Sequence, residues 1–224
     1  MSRVTLHPSL PTLAFLATTL CLASGCIPYT VGNTAEPLKP GETQRSMSWY
    51  FIPNGIQLRD SVASTFTGID FEYRKGLEGG ASDFGVRVPS LSGVVVSYKR
   101  RLTSELASGP VVSMLVGAGV VNVAQHAHGE LGLLMSAKER DGIVPYGGLR
   151  VMQVVPISEG APSDSPTAGG FLGTRFGDRD FGVSLELGVY YDRSTLGIRR
   201  GTVILVPAVT MHGDELIRLL GVGR

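Results

Sequence analysis

The sequence predicts an all-β protein, a single antiparallel β-barrel of about 8–10 strands. Several runs alternate strictly between apolar and polar residues, and a period of two is typical of strands whose two faces meet different surroundings. Clusters of glycine, serine and proline separate these runs, and no run shows a convincing amphipathic helical pattern. A sheet of this size must close or stack to remove its edges, and the sequence has no repeat of fixed period that would indicate a propeller.

The composition of the chain excludes several classes of protein. The length of 224 residues suits one domain, and the chain is 43% apolar but only 17% charged, which excludes intrinsic disorder. The net charge is +1 and the positive charges are scattered, so the sequence predicts no nucleic-acid partner. Glycine is abundant, at 30 residues, against an average usage of about 7%. These numbers favour a single glycine-rich β domain.

Residues 1–25 have the pattern of a secretory signal peptide. Arg3 precedes an apolar stretch at 10–22, which is too short for a transmembrane helix, and small residues then lead to Cys26. The ending ASGC resembles the bacterial lipoprotein signal, which implies that Cys26 becomes the lipidated first residue of the mature chain, carrying acyl groups such as palmitate. The alternative is ordinary cleavage, with Cys26 incidental. Cys21 lies in the apolar stretch and would be removed, so no internal disulfide is expected.

The mature chain divides into a linker, a barrel and a tail. Residues 26–45 contain three prolines and no periodicity, so we expect a lipid-anchored linker that is extended and solvated. Residues 46–213 carry the alternating runs and form the predicted barrel domain. Residues 214–224 form a C-terminal tail, of which only the beginning could make a short turn of helix.

Six alternating runs supply the predicted strands. In chain order they are residues 67–74, 84–88, 94–99, 131–138, 181–191 and 203–211. Two more runs, 110–121 and 143–155, are apolar on both faces, so periodicity cannot assign their orientation. Pro207 interrupts the last run, although proline lacks the N–H that a strand ladder uses. Turn residues separate the runs, and the longest polar loop covers 158–170.

The orientation of the apolar face decides between two kinds of barrel. With the apolar face inward, the protein is a soluble lipocalin-like barrel, tethered by lipid and able to bind a small apolar ligand. With it outward, the barrel crosses a membrane. The run at 181–191 favours the second, because about 9–11 residues cross a bilayer whereas soluble strands average about 5–6. Tyrosines near strand ends suggest an aromatic girdle: Tyr73, Tyr98, Tyr146, Tyr190 and Tyr191.

The face opposite the apolar one would then line a narrow lumen. The charged residues on that face are Asp70, Glu72, Arg74, Arg87, Lys99, Lys138 and Glu186. Buried charges must be compensated, so we expect a mutually paired network in which Glu186 pairs with Arg74, Arg87 or Lys99.

Four segments carry a resemblance to a known class. SDFGVRVP, VVVSYKRRL, VPYGGLRV and FGDRDFGVSLELG resemble small bacterial outer-membrane β-barrel proteins, many of which have a lipoprotein signal. The resemblance spans residues 49–213 and rests on pattern, and the ending GDELIRLLGVGR lacks the terminal aromatic residue that such barrels generally carry. It implies an outer-membrane location, membrane lipid as the partner and a structural or surface role. A narrow pore or an accessory subunit of an envelope complex is a further alternative.

The sequence offers few candidates for chemistry. His126, His128 and Glu130 would share one face of a strand, but without a further histidine or cysteine at a fixed spacing we predict a polar strand end and no metal. The VGAG run at 116–119 is glycine in a strand, because no strand-to-helix switch follows it. No G-x-S-x-G elbow is present. We therefore predict no catalytic activity and no cofactor.

Overall fold

The computed structural model describes residues 27–53, 66–105, 108–139, 142–157, 165–193 and 201–213. The predicted signal peptide, Cys26 and the 214–224 tail lie outside these ranges. The described residues include no helix that is long and apolar enough to cross a membrane.

Ten antiparallel strands close into one barrel, which confirms the predicted fold class. Each strand pairs with its neighbours in sequence, and β1 pairs with β10 to complete the circle. The strands are β1 (Thr43–Ile52), β2 (Phe66–Gly76), β3 (Ser82–Pro89), β4 (Val94–Arg101), β5 (Val111–Val121), β6 (His126–Ser136), β7 (Ile143–Pro156), β8 (Thr167–Gly177), β9 (Gly182–Asp192) and β10 (Thr202–His212).

The apolar sets of the alternating strands face outward. On β9, Leu185 and Leu187 are 49% and 47% exposed, whereas Ser184 and Glu186, which alternate with them, are buried. The same alternation holds around the barrel, and the exposed apolar side chains include Trp49, Phe84, Val96, Leu131, Leu133, Leu149, Leu172 and Val203. A continuous apolar exterior of this kind is the reverse of what a protein surface in water shows.

The antiparallel order gives the barrel two distinct ends. The near end is where β1 begins and β10 ends, and the connections 77–81, 102–110, 137–142 and 178–181 also lie there. The far end is where β1, β3, β5, β7 and β9 end and where the strands that follow each of them begin.

Residues 27–38, here called the luminal segment, pass through the inside of the barrel. Apart from half-buried Glu36, every residue of the segment is buried. Leu38 at the near end donates its N–H to Asp83 (3.0 Å), and the Ile27 carbonyl at the far end accepts from the Tyr50 hydroxyl (2.9 Å). The expectation of a solvated linker is therefore wrong for these residues. The segment has no charged side chain before Glu36, which lowers the cost of placing it in the interior.

An apolar cluster fills the far-end half of the lumen. It consists of Ile27, Tyr29, Tyr50, Ile52, Val95, Val121, Met152, Val154, Tyr190, Ile204, Val206 and Ala208. Its members Met152 and Val154 make the inward face of β7 apolar, as well as the outward face. The inward residues Val111 and Leu115 of β5 belong to a second cluster, which also contains Val31, Ala35, Leu134, Tyr146 and Phe171. Tyr146 and Tyr190 also point inward, so they do not belong to the girdle that the sequence suggested.

Pro207 lies where β10 separates from β1. The pairing of these strands runs from Ser46 opposite His212 to Tyr50 opposite Ala208, and it stops there. β10 pairs with β9 along its whole length, so its residues 202–207 pair with β9 alone. A residue without an N–H is tolerated at such a position because one side of the ladder has ended.

Candidate functional site

Charged side chains inside the barrel converge on the luminal segment. They come from seven strands, and the described ones are Asp70, Glu72, Arg74, Asp83, Arg87, Lys99, Glu130, Arg150, Arg175, Glu186 and Asp192, all buried. Six of these groups are acidic and five are basic, so their charges nearly cancel when all are ionised. Six of the seven residues predicted for the lumen are in this set.

Lys138 is not a luminal residue. β6 ends at Ser136, so the alternation that would have turned Lys138 inward no longer applies. Its ammonium group instead donates to the Glu105 carbonyl (3.0 Å) at the near-end surface. The prediction for Lys138 is wrong because the strand is two residues shorter than the pattern suggested.

Asp83 binds three partners in the part of the lumen next to the near end. Its carboxylate accepts from Arg74 Nε (2.9 Å), pairs with Lys99 Nζ (3.2 Å) and accepts the N–H of Leu38 (3.0 Å). Lys99 also donates to two carbonyls of the luminal segment, those of Thr34 (3.0 Å) and Glu36 (3.1 Å). The charges of β2, β3 and β4 therefore pair with one another and bind the segment at the same time.

Glu72 is the centre of a second group of ion pairs, which lies further towards the far end. It pairs with Arg74 Nη1 (2.7 Å) and Arg87 Nη2 (3.3 Å), and it accepts from the side-chain amide of Asn33 (2.6 Å). Arg87 in turn donates to the carbonyls of Thr30 (2.6 Å) and Val31 (3.2 Å). Asp70, also buried on β2, interacts electrostatically with Arg87 and Arg150.

Glu186 binds backbone N–H groups instead of a basic side chain. Its two carboxylate oxygens accept from the N–H groups of Val31 (2.9 Å) and Gly32 (2.8 Å), and one also accepts from the Tyr146 hydroxyl (3.0 Å). The expected ion pair of Glu186 with Arg74, Arg87 or Lys99 is therefore wrong. Those three side chains bind Glu72, Asp83 and segment carbonyls, whereas the segment's buried N–H groups need an acceptor.

Arg150, which pairs with Glu130, binds the far-end part of the luminal segment. Arg150 Nε donates to Glu130 (2.9 Å), and Nη1 donates to the carbonyls of Pro28 (2.6 Å) and Thr30 (3.2 Å). His126 and His128 do share the inward face of β6 with Glu130, as their spacing suggested, and His128 Nε2 lies 3.9 Å from Glu130 Oε2. Glu130 is nevertheless bound to Arg150, and no group of three His, Cys, Asp or Glu side chains in the described ranges could hold a metal ion.

A second ion-pair cluster closes the near end. Glu139 pairs with Arg175 (2.8 Å) and with Arg179, and it accepts from the Thr34 hydroxyl. Arg179 also pairs with Glu42 (2.7 Å) and donates to the Pro37 carbonyl (3.1 Å). Burial raises the pKa of the Glu139 carboxyl, but the neighbouring guanidinium groups outweigh burial and bring that pKa below its ordinary value of 4.5.

The sequence analysis left five of these charged residues out of the predicted lumen. Glu130 was assigned to a polar strand end, and Asp192 directly follows the run at 181–191, where it has the same parity as Glu186. Asp83 has the same parity as Gly85 and Arg87, so starting the third strand one residue earlier would have found it. Arg150 lies on a strand whose faces periodicity could not assign. Arg175 lies on β8, whose four glycines among eleven residues hide the alternation.

The arrangement is chemically a binding site for an extended peptide backbone. Basic side chains and hydroxyls donate to the segment's carbonyls, while carboxylates accept from its N–H groups. The occupant is the chain's own N-terminal segment, so the lumen is filled along its axis. No family model matches this sequence, and no curated protein matches it significantly.

Glu186→Ala should destabilise the barrel strongly. The substitution leaves the N–H groups of Val31 and Gly32 and the Tyr146 hydroxyl without an acceptor, and each such buried group costs about 1–3 kcal/mol. We expect a loss of at least about 3 kcal/mol, measured from urea unfolding of the folded barrel. Glu105→Ala is the matched control, because the Glu105 side chain is 80% exposed. Equal midpoints for the two variants would contradict this role of Glu186.

Gly32→Ala should destabilise the protein more than Gly41→Ala. Both glycines have positive φ, +65° and +77°, so both substitutions share the backbone strain. Only at Gly32 would the new Cβ lie 2.5 Å from Thr210 Oγ1, which is itself hydrogen-bonded to Ser48, whereas Gly41 has open space. We expect a further loss of about 1–3 kcal/mol at Gly32. Equal losses in thermal or urea unfolding would mean that residue 32 is not packed against β10.

Glu139→Gln should remove a pH-dependent part of the stability. Because the pKa of Glu139 is lowered in the folded state, its carboxylate contributes stability that is fully present above pH 4.5 and is lost as pH falls below that value. The difference in unfolding free energy between wild type and Glu139→Gln should therefore shrink on acidification below pH 4.5. The other carboxyl groups titrate in both proteins and largely cancel. A difference that stays constant with pH would contradict the ion-pair assignment.

Proposed function

We propose that this protein is an outer-membrane β-barrel lipoprotein with a structural or surface role and no catalytic step. Its barrel is closed by its own N-terminal segment and is therefore not an open channel. The observation that carries the proposal is the inverted distribution of polarity: leucine, valine and aromatic side chains cover the outside, while eleven acidic and basic side chains are buried inside. A lipid environment stabilises such an exterior.

Strand length and closure support a membrane-spanning barrel. β2, β5, β6, β8, β9 and β10 each contain 11 residues. About 9–11 residues are needed to cross the hydrocarbon core at the tilt of a barrel. Closure between β1 and β10 leaves no sheet edge along the paired region, as required where no water can satisfy the backbone.

The soluble, ligand-binding alternative has less support. A lipocalin-like barrel needs a lumen with room for a ligand, but here the luminal segment and the apolar cluster around Ile27 and Tyr29 occupy the interior. A soluble barrel would also need a polar exterior. The narrow-pore alternative meets the same obstacle, because an ion would have to pass residues 27–38.

The sequence before the luminal segment supports the lipid anchor. The ASGC ending places Cys26 directly before Ile27, with no intervening linker. A mature chain that begins at Cys26 would thus have its lipid attached to the segment that fills the barrel.

Leu187→Arg tests the membrane-facing assignment. Leu187 is the central residue of β9 and is 47% exposed on the outer face. In a membrane barrel an arginine at mid-depth costs about 2–4 kcal/mol, and the cost falls to about 0–1 kcal/mol near the interface. We therefore expect a large loss of stability in vesicles for Leu187→Arg and a small one for Ile157→Arg, which follows the far end of β7. Stability would be measured as the urea midpoint.

The soluble reading predicts a different outcome. There both arginines would enter water and have equally small effects, and the barrel domain would be monodisperse in buffer without detergent. Either result would refute the membrane proposal.

A further inference from the structure

The luminal segment runs the whole length of the barrel in one direction. Its C-terminal residue, Leu38, contacts Asp83 near the start of β3 at the near end, and residue 43 then begins β1 at the same end. Its N-terminal residue, Ile27, contacts Tyr50 and belongs to the same apolar cluster as Ile52, Val121 and Val154, which lie at or near the far-end termini of their strands. The chain thus enters β1 from one end, and Ile27, the first described residue, lies at the other.

Hydrogen bonds along the segment fix this direction. In order from the far end, Arg150 binds the Pro28 carbonyl, Glu186 binds the N–H groups of Val31 and Gly32, and Lys99 binds the Thr34 carbonyl. These partners come from strands on different sides of the barrel. A segment inserted in the opposite direction would place carbonyls against carboxylates, so the contacts specify one polarity of threading.

We propose that the luminal segment passes through the barrel so that the acylated Cys26, the lipid anchor, lies at the far end, while the segment joins β1 at the near end. The inference rests on the proposed function, since it assumes a membrane-spanning barrel with an acylated Cys26. Consecutive Cα atoms are about 3.8 Å apart, so a group attached to residue 26 leaves the lumen at the end where Ile27 lies. To return to the near end it would have to span the full length of the segment again.

The far-end mouth suits the emergence of acyl chains. Ile27 belongs there to the apolar cluster that includes Ile52, Val121, Val154 and Ile204, and the β1–β10 ladder has already ended at Ala208. The charged groups that bind the segment begin one residue further in, where Arg150 binds Pro28. Acyl chains on residue 26 therefore emerge beside apolar side chains and enter the leaflet at the far end. Both chain termini of the barrel proper, the start of β1 and the end of β10, face the opposite leaflet.

The experiment compares the sidedness of three epitope insertions in the full chain, expressed in a Gram-negative host. One epitope follows Cys26, one lies in the far-end connection 157–166 and one lies in the near-end connection 102–110. Outer-membrane fractionation confirms that each variant is inserted. Antibody binding is then measured on intact and on permeabilised cells. We expect the N-terminal epitope to behave as the far-end epitope does, with the near-end epitope showing the opposite accessibility.

The possible outcomes separate the two proposals. If the far-end and near-end epitopes differ but the N-terminal one groups with the near end, threading is wrong while the membrane barrel stands. If the far-end and near-end epitopes have the same accessibility, or the protein is absent from the membrane fraction, the barrel does not span the membrane, and both proposals fail. Because the criterion is grouping, it holds for either orientation of the barrel.

Discussion

The structure depends on satisfying the backbone of one segment that has no strand partner. Residues 27–38 lie inside a closed barrel, so their N–H and C=O groups can reach neither water nor a sheet ladder. The barrel's side chains take the place of a ladder: Arg87, Arg150 and Lys99 bind carbonyls, and Glu186 and Asp83 bind N–H groups. The segment therefore needs the interior charges to satisfy its backbone. The charges in turn need the segment as a hydrogen-bond partner, because removing a partner from a buried charge typically costs about 3–5 kcal/mol.

The abundance of glycine follows from the same crowding. A barrel of ten strands that encloses a peptide, eleven charged groups and several tyrosines has little space left on its inner wall. A Cβ at Gly117 would lie 2.5 Å from the Glu130 carboxylate, and one at Gly173 would lie 2.5 Å from the Tyr146 ring. Inward glycines thus make room for the long side chains on neighbouring strands, and Tyr146 in turn reaches Glu186.

Period-two alternation predicted the strands whose two faces differ most, because the apolar outer face and the charged inner face carry opposite residue types. Residues 67–74 and 181–191 could be read in this way, and six luminal charges followed from parity alone. The luminal segment could not be predicted in this way, because a peptide bound by side chains shows no periodic pattern. Its small, apolar and proline residues resemble those of a linker. The partner of Glu186 was missed for the same reason: the pattern assigns a residue to a face, but it does not reveal that a second chain segment lies there.

Retention of the segment follows from the way its two ends are held. At the near end it continues covalently towards β1, and Asp83 and Arg179 bind Leu38 and Pro37. It can leave only towards the near end, and acyl chains on Cys26 would then have to pass a lumen lined by charged groups. Each CH₂ withdrawn from lipid costs about 0.8 kcal/mol, so the proposed acylation of Cys26 would oppose that movement far more strongly than the hydrogen bonds alone. Under that proposal the lipid would keep the segment in the barrel, where the segment binds the buried charges.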